Sequence, residues 1–173
     1  KIDIDANIAQ VASHIKTRCE EFSVDMPRIL MEPGRSLVAD AGLTLYTVGG
    51  VKEIKGYKNY ISIDGGMTDN PRYTLYESAY TIELASNMNA KKDFVATIAG
   101  RCCESGDLIG EDVKLPKAKR GDILAVLTTG AYNYSMASNY NRIPRPPVVM
   151  LSGGNSYVAV KRETYADLLL NDI

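Results

Sequence analysis

The chain has 173 residues and 18.9 kDa, the size of one ordinary domain or of one domain with part of another attached. Lys plus Arg total 20 against 21 Asp plus Glu, so the net charge of -1 leaves no electrostatic footprint for nucleic acid or an anionic membrane surface. Hydrophobic residues at 45% and charged residues at 24% are globular values, no apolar run approaches the roughly 20 residues of a membrane helix, and no signal-peptide pattern opens the chain. Three cysteines, two of them adjacent, make no disulfide framework; they read as reduced thiols of a cytoplasmic protein.

Ile8, Val11, Ala12, Ile15, Cys19 and Phe22 recur at helical spacing and predict one amphipathic helix, with Asp5 as N-cap and Ser23 and Pro27 as its stop. The run Ile29-Leu30-Met31 then predicts a short buried strand. Helix, loop and strand are half of a repeating α/β unit, and one such unit cannot bury both faces of its strand. Residues 1–41 are therefore expected to be the end of a larger α/β domain. After Gly42 the texture is mainly β. Strands are expected at 44–48, 60–63, 80–84, 94–103, 122–127 and 148–151, with a hairpin through Ser152-Gly153-Gly154-Asn155 into Tyr157–Val160. Thr164 with Asp167 forms a capping-box pattern that opens a last helix through Leu168, Leu169 and Leu170. Residues 42–173 thus read as a β-rich domain with a terminal helix.

Four strings carry chemistry. Glu32-Pro33-Gly34-Arg35 follows the first expected strand, at the end where α/β folds bind ligands; Gly34 allows close backbone approach and Arg35 offers a planar fork for carboxylate or phosphate. A turn with a surface Arg is the plain alternative. Asp64-Gly65-Gly66-Met67-Thr68-Asp69-Asn70-Pro71-Arg72 is a loop that lacks the glycine spacing of a phosphate loop and presents Arg72 and, four residues on, Tyr76. Two arginines and a tyrosine would suit a substrate carboxylate. In Cys102-Cys103-Glu104-Ser105-Gly106-Asp107, period-two alternation along the preceding strand assigns Cys102 to the core and Thr97, Arg101 and Cys103 to the polar side. A cation beside Cys103 would make that thiol useful in proton transfer. The segment from Gly130 to Arg142 holds Tyr132, Tyr134 and Tyr140 among amides and hydroxyls and suits a polar ligand or a neighbouring chain. The single histidine, His14, lies in the first helix with nothing to pair it as a catalytic base, which leaves a cysteine hydrolase without its base; no zinc-ligand spacing occurs.

In order along the chain, EPGRSLVADAGLTLYTVG, SIDGGMTDNPR, AGRCCESGD and TGAYNYSMASNYNRIPRP strongly resemble the C-terminal part of the diaminopimelate decarboxylase family, alanine-racemase-type enzymes dependent on pyridoxal 5'-phosphate. The resemblance covers about residues 28 to 165, and its four motifs are jointly specific. Relatives acting on ornithine or arginine share the EPGR-like turn but not the CESGD string. The resemblance implies a TIM barrel whose last helix and strand are residues 1–41, followed by a β-rich C-terminal barrel or sandwich domain. It implies decarboxylation of meso-2,6-diaminopimelate to L-lysine and CO2, in lysine biosynthesis, by a homodimer. It would set Glu32, Pro33, Gly34 and Arg35 against the cofactor phosphate, with Tyr132 touching cofactor and substrate. Arg35, Arg72 and Tyr76 would hold the carboxylate of the non-reacting end, and Glu104 the distal ammonium. Cys103 would donate the proton to the carbon left after CO2 departs, acting with Glu104 in the opposite subunit's site. The lysine that binds the cofactor and the glycine-rich phosphate loop lie in family segments with no counterpart here, so this chain alone is expected to be inactive. The alternative is a non-catalytic β-domain kept for dimerisation or partner binding.

Overall fold

The computed structural model describes residues 3–173. They fall into two compact units, Lys1–Leu37 and Val38–Ile173, with the division a few residues before the change of texture at Gly42.

In the first unit, α1 runs Ile4–Phe22. Its N-cap is Asp3 rather than Asp5: the Asp3 carboxylate accepts the Ala6 N–H at 3.0 Å, and Asp5 sits in the first turn, where a negative charge suits the helix dipole. Ser23 ends the helix in a left-handed conformation (φ 53°), as the sequence predicts. Ile29-Leu30-Met31 is not a strand. The segment is irregular and all three side chains are exposed, since no strand among the described residues pairs with it and an unpaired strand leaves its backbone groups unsatisfied. A short helix α2, Arg35–Val38, leads into the second unit.

The second unit is built on a six-stranded sheet with spatial order β3-β6-β1-β2-β4-β5. The strands are β1 Leu43–Glu53, β2 Asn59–Ile63, β3 Ile82–Leu84, β4 Phe94–Ala99, β5 Leu108–Leu115 and β6 Ile123–Leu127. Every pairing is antiparallel except β2 with β4. A side chain placed at Gly110 of β5 would meet Ile82 of β3 at 3.2 Å, so the two edge strands face each other and the sheet curls into a nearly closed barrel. Ile61, Ile98, Ile109, Leu124 and Val126 fill its interior with no exposed surface. Each such side chain contributes about 1.5–3 kcal/mol by leaving water.

Strand β5 goes unread in the sequence because Gly110, Glu111 and Asp112 interrupt its apolar pattern. Strand β4 is shorter than the 94–103 run expected; it stops at Ala99, after irregular pairing with β5 between Ala96 and Ala99. Those irregularities break the period-two alternation, so Thr97 is buried rather than on a polar face. Strands β7 Val148–Ser152 and β8 Asn155–Val160 form the expected hairpin, turned at Gly153 and Gly154 with φ of 55° and 78°, the left-handed pair a two-residue turn needs. The capping box forms as read, Thr164 and Asp167 each accepting from the other's backbone, but helix α4 ends at Leu168 instead of reaching Leu170. The remaining helix, α3 Arg72–Tyr76, is a single turn within the segment that reads as a loop in the sequence, and it bears on the site.

Candidate active site

Beyond β2 the chain enters a loop whose residues Thr68, Asp69 and Asn70 are buried. The Asp69 carboxylate organises it, accepting the Gly66 N–H at 2.9 Å, the Thr68 hydroxyl at 3.4 Å and the buried Tyr46 hydroxyl from β1. Burial pushes the Asp69 carboxyl above its ordinary range, and burial reinforced by the Asp69 charge pushes the Tyr46 phenol well up. The tightened loop delivers Arg72 as the first residue of α3. The Arg72 guanidinium lies 4.3 Å above the ring of Tyr76, one helical turn on, and 5.6 Å from the ring of Tyr132. Its Nη1 is 3.9 Å from Met136 Sδ, while its Nε is buried with no hydrogen-bond partner. The amide nitrogens of Asn70 and Asn133 are buried and unpartnered as well. A planar cation held on aromatic faces with an unused donor is equipped to take a carboxylate in fork geometry.

The loop Gly100–Asp107 joins β4 to β5. Cys102 is half-buried on a bend rather than packed in the core, because the strand has already ended; Cys103 is exposed, as expected. Burial, with the charge of Asp107, raises the Cys102 thiol above its ordinary range. Glu104 is exposed beside Cys103, and its Oε1 accepts the Ser105 hydroxyl and the Gly106 N–H at 3.4 Å each. Asp107 is 3% exposed, and its two oxygens accept from two different loops: Met67 N–H at 2.6 Å and Cys102 N–H at 2.7 Å. A Cβ at either Gly66 or Gly100 would collide with this carboxylate, which is why both positions are glycine. The Thr74 hydroxyl of α3 donates to the Gly106 carbonyl at 2.6 Å and ties the thiol loop to the helix that bears Arg72 and Tyr76.

Tyr132 follows β6 in a left-handed conformation (φ 62°) and is 46% exposed, with its ring turned to the Arg72 cation. Further along, Ser138 N–H donates to the Thr68 carbonyl at 2.8 Å, so the tyrosine-rich segment is stitched to the Asp69 loop. Glu163 then anchors the segment's far end, accepting from Arg145 Nε and N at 2.7 Å each and from Asn139 Nδ2 at 2.6 Å. These contacts hold its carboxyl down at about 2.

The second unit thus brings Arg72, Tyr76 and Tyr132 into contact and ties the loop of Cys103 and Glu104 to the same helix. Glu32, Pro33 and Gly34 are irregular in the first unit, where Arg35 opens α2 and His14 lies in α1. Tyr46, Asp69, Thr74 and Asp107 escaped the sequence reading. The glycines at 65, 66 and 100 were the available signal, since each marks a place where another group comes close. Among the described residues no helix is long and apolar enough to cross a membrane, and no three His, Cys, Asp or Glu side chains group as a metal site.

The family model described as "Pyridoxal-dependent decarboxylase, C-terminal sheet domain" matches residues 9–130. The chain belongs to this family. The Bacillus subtilis diaminopimelate decarboxylase is 49% identical over 96% of the chain, and that of Staphylococcus aureus 48% over 98%. The chain spans only 38% and 40% of the length of these two relatives. A solved diaminopimelate decarboxylase of M. jannaschii superposes with a TM-score of 0.79 at 41% identity, covering 92% of this chain and 36% of that one. Another structure of that protein, in complex with L-lysine, matches at 40% identity and the same TM-score over 91% of this chain and 36% of that one. The sheet described above is the C-terminal β domain of this decarboxylase family.

Proposed function

We propose that the chain is the C-terminal part of a pyridoxal-phosphate-dependent carboxy-lyase that converts meso-2,6-diaminopimelate to L-lysine and CO2. The observation that carries this reading is the Arg72 guanidinium, stacked on Tyr76, near Tyr132, with a buried unused Nε donor. That arrangement favours a substrate keeping a carboxylate at its non-reacting end. Ornithine and lysine have only an amine there.

Within the second unit, Tyr132 supplies a half-exposed aromatic ring and hydroxyl beside the Arg72 cation, which suits a polar anionic cofactor. The family resemblance would set Glu32, Pro33, Gly34 and Arg35 of the first unit against the cofactor phosphate. The bound cofactor supplies the electron sink for decarboxylation. This chain's own work is then binding, orientation and proton supply: Arg35, Arg72 and Tyr76 hold the distal carboxylate, Glu104 the distal ammonium, and the exposed Cys103 thiol carries the proton for the former Cα. Cys103 and Glu104 act in the partner subunit's site of a cytoplasmic homodimer, and residues 1–41 are the last helix and strand-equivalent of the cofactor-binding barrel. Retention of Arg72, Cys103 and Glu104 together weighs against the non-catalytic reading.

The test is CO2 release by the complete enzyme containing this chain, with meso-2,6-diaminopimelate, ornithine and lysine compared by kcat/KM. Preference for diaminopimelate, lost on Arg72→Leu, is expected. Equal or better turnover of ornithine would overturn the reading.

A further inference from the structure

Asp107 is buried, and among the described residues no ion pair holds its carboxyl group. Its two oxygens are instead spent on two backbone N–H groups from different loops, Met67 at 2.6 Å and Cys102 at 2.7 Å. Its own backbone closes the same junction: the Asp107 carbonyl accepts Gly100 N–H at 2.8 Å, and its N–H donates to the Glu104 carbonyl at 3.1 Å. Gly66 and Gly100 leave the room this needs. Charge-assisted bonds of this length are the strong class, and a buried carboxylate filled by backbone donors tolerates little displacement of either loop.

We infer that Asp107 is a positioning residue for Cys103: its carboxylate clamps the N–H of Cys102, the residue before Cys103, to the loop that delivers Arg72, so that the thiol is fixed on the frame of its own chain, from which it reaches the partner subunit's site. This rests on the reading of Cys103 as proton donor given above. Among the described residues, the largely exposed loop 101–106 is otherwise tied to α3 by the Thr74–Gly106 bond, so without Asp107 the thiol would sample a range of positions. A proton donor must lie within hydrogen-bond reach of the accepting carbon, and loss of that placement lowers kcat more than it changes substrate affinity.

The experiment uses the complete enzyme with Asp107→Asn, which keeps the shape but turns one acceptor into a donor facing an N–H. Amide exchange at Met67 and Cys102 should accelerate about 10- to 100-fold, the scale of losing a bond to a charged group. The rate of Cys103 alkylation by iodoacetamide should change with it, and kcat should fall by a similar factor with KM within about threefold. Asp107→Ser should recover part of its kcat when formate is added, since formate restores two carboxylate oxygens. Unchanged exchange, alkylation and kcat in Asp107→Asn would overturn the inference. If neither variant folds, the unaltered enzyme decides: fast exchange at Met67 and Cys102 would overturn it, and slow exchange at both supports it. Full turnover of Cys103→Ala would remove the proton-donor reading and leave the clamp judged on exchange and alkylation alone.

Discussion

The Thr74 hydroxyl donates to the Gly106 carbonyl at 2.6 Å, joining a one-turn helix to a loop 32 residues away. That helix carries Arg72 at its start and Tyr76 at its end, and the loop carries Cys103 and Glu104. The Arg72 cation and the Cys103 thiol with its neighbouring carboxylate are therefore parts of one local structure, although no sequence motif contains them both.

Cys103→Ala in the complete enzyme should lower turnover by about 100-fold or more, the scale of losing a positioned general acid. Cys102→Ala should leave turnover within a few-fold and cost about 1 kcal/mol or less of stability, since the side chain is half-buried on a bend rather than packed in the core. Mixing Cys103→Ala subunits with subunits lacking the cofactor-binding lysine should restore part of the activity, because under the proposed cross-subunit role each mixed dimer would hold one complete site. Equal turnover of the two alanine variants, or no recovery despite subunit exchange, would refute the assignment.

Thiol labelling separates the two cysteines without any assay of turnover. The Cys102 thiol is raised by burial and by Asp107, so it stays protonated and slow to react at pH 8. Cys103 is exposed, and mass spectrometry after brief alkylation should find the label there first.

Arg72→Lys should raise KM for a substrate with a distal carboxylate by about 10- to 100-fold and move kcat much less. Lysine keeps the charge but loses the planar fork and its stacking on Tyr76. Tyr76→Phe, which keeps the ring face, should be milder than Tyr76→Leu. Steady-state kinetics on the three variants decide it.

The Arg145–Glu163 pair should make acid stability depend on Glu163. Its carboxyl is held at about 2 in the folded chain, below the roughly 4.3 of an unfolded glutamate. A depressed folded value means that the stabilisation is fully present above the unfolded value and is lost as the pH falls from about 5 toward 2. Denaturant melts of Glu163→Gln should therefore differ from the unaltered protein at pH 6 and converge with it near pH 2. A Glu163 carboxyl titrating near 4 by NMR would refute the premise.

The isolated chain mixed with pyridoxal phosphate and reduced with borohydride should show no cofactor fixed to a defined lysine. The family resemblance puts the cofactor-binding lysine in a segment with no counterpart in these 173 residues. One stoichiometric adduct at a single lysine, found by mass spectrometry, would contradict this.

The strands at 60–63 and 122–127, the Gly153-Gly154 hairpin and the Thr164–Asp167 capping box were legible in the residues, because each rests on local chemistry: alternation, left-handed turn positions, a reciprocal cap. Arg72, Tyr76, Tyr132, Cys103 and Glu104 were legible as site candidates for a different reason, since their residue types are rare in plain turns and stand inside specific strings. What local chemistry could not reveal is where a strand finds its partner. Ile29-Leu30-Met31 has the composition of a strand and pairs with nothing described here, while β5, broken by Gly110, Glu111 and Asp112, is a strand because β4 lies beside it. The end of β4 at Ala99 was likewise decided by pairing, and with it went the expected alternation that sent Cys102 to the core. Tyr46 with Asp69, and Asp107 with Met67 and Cys102, are buried polar contacts between segments 23, 40 and 5 residues apart. The pairing of β2 with β1 and with β4 brings the first two together, and burial without such partners would cost each carboxylate several kcal/mol.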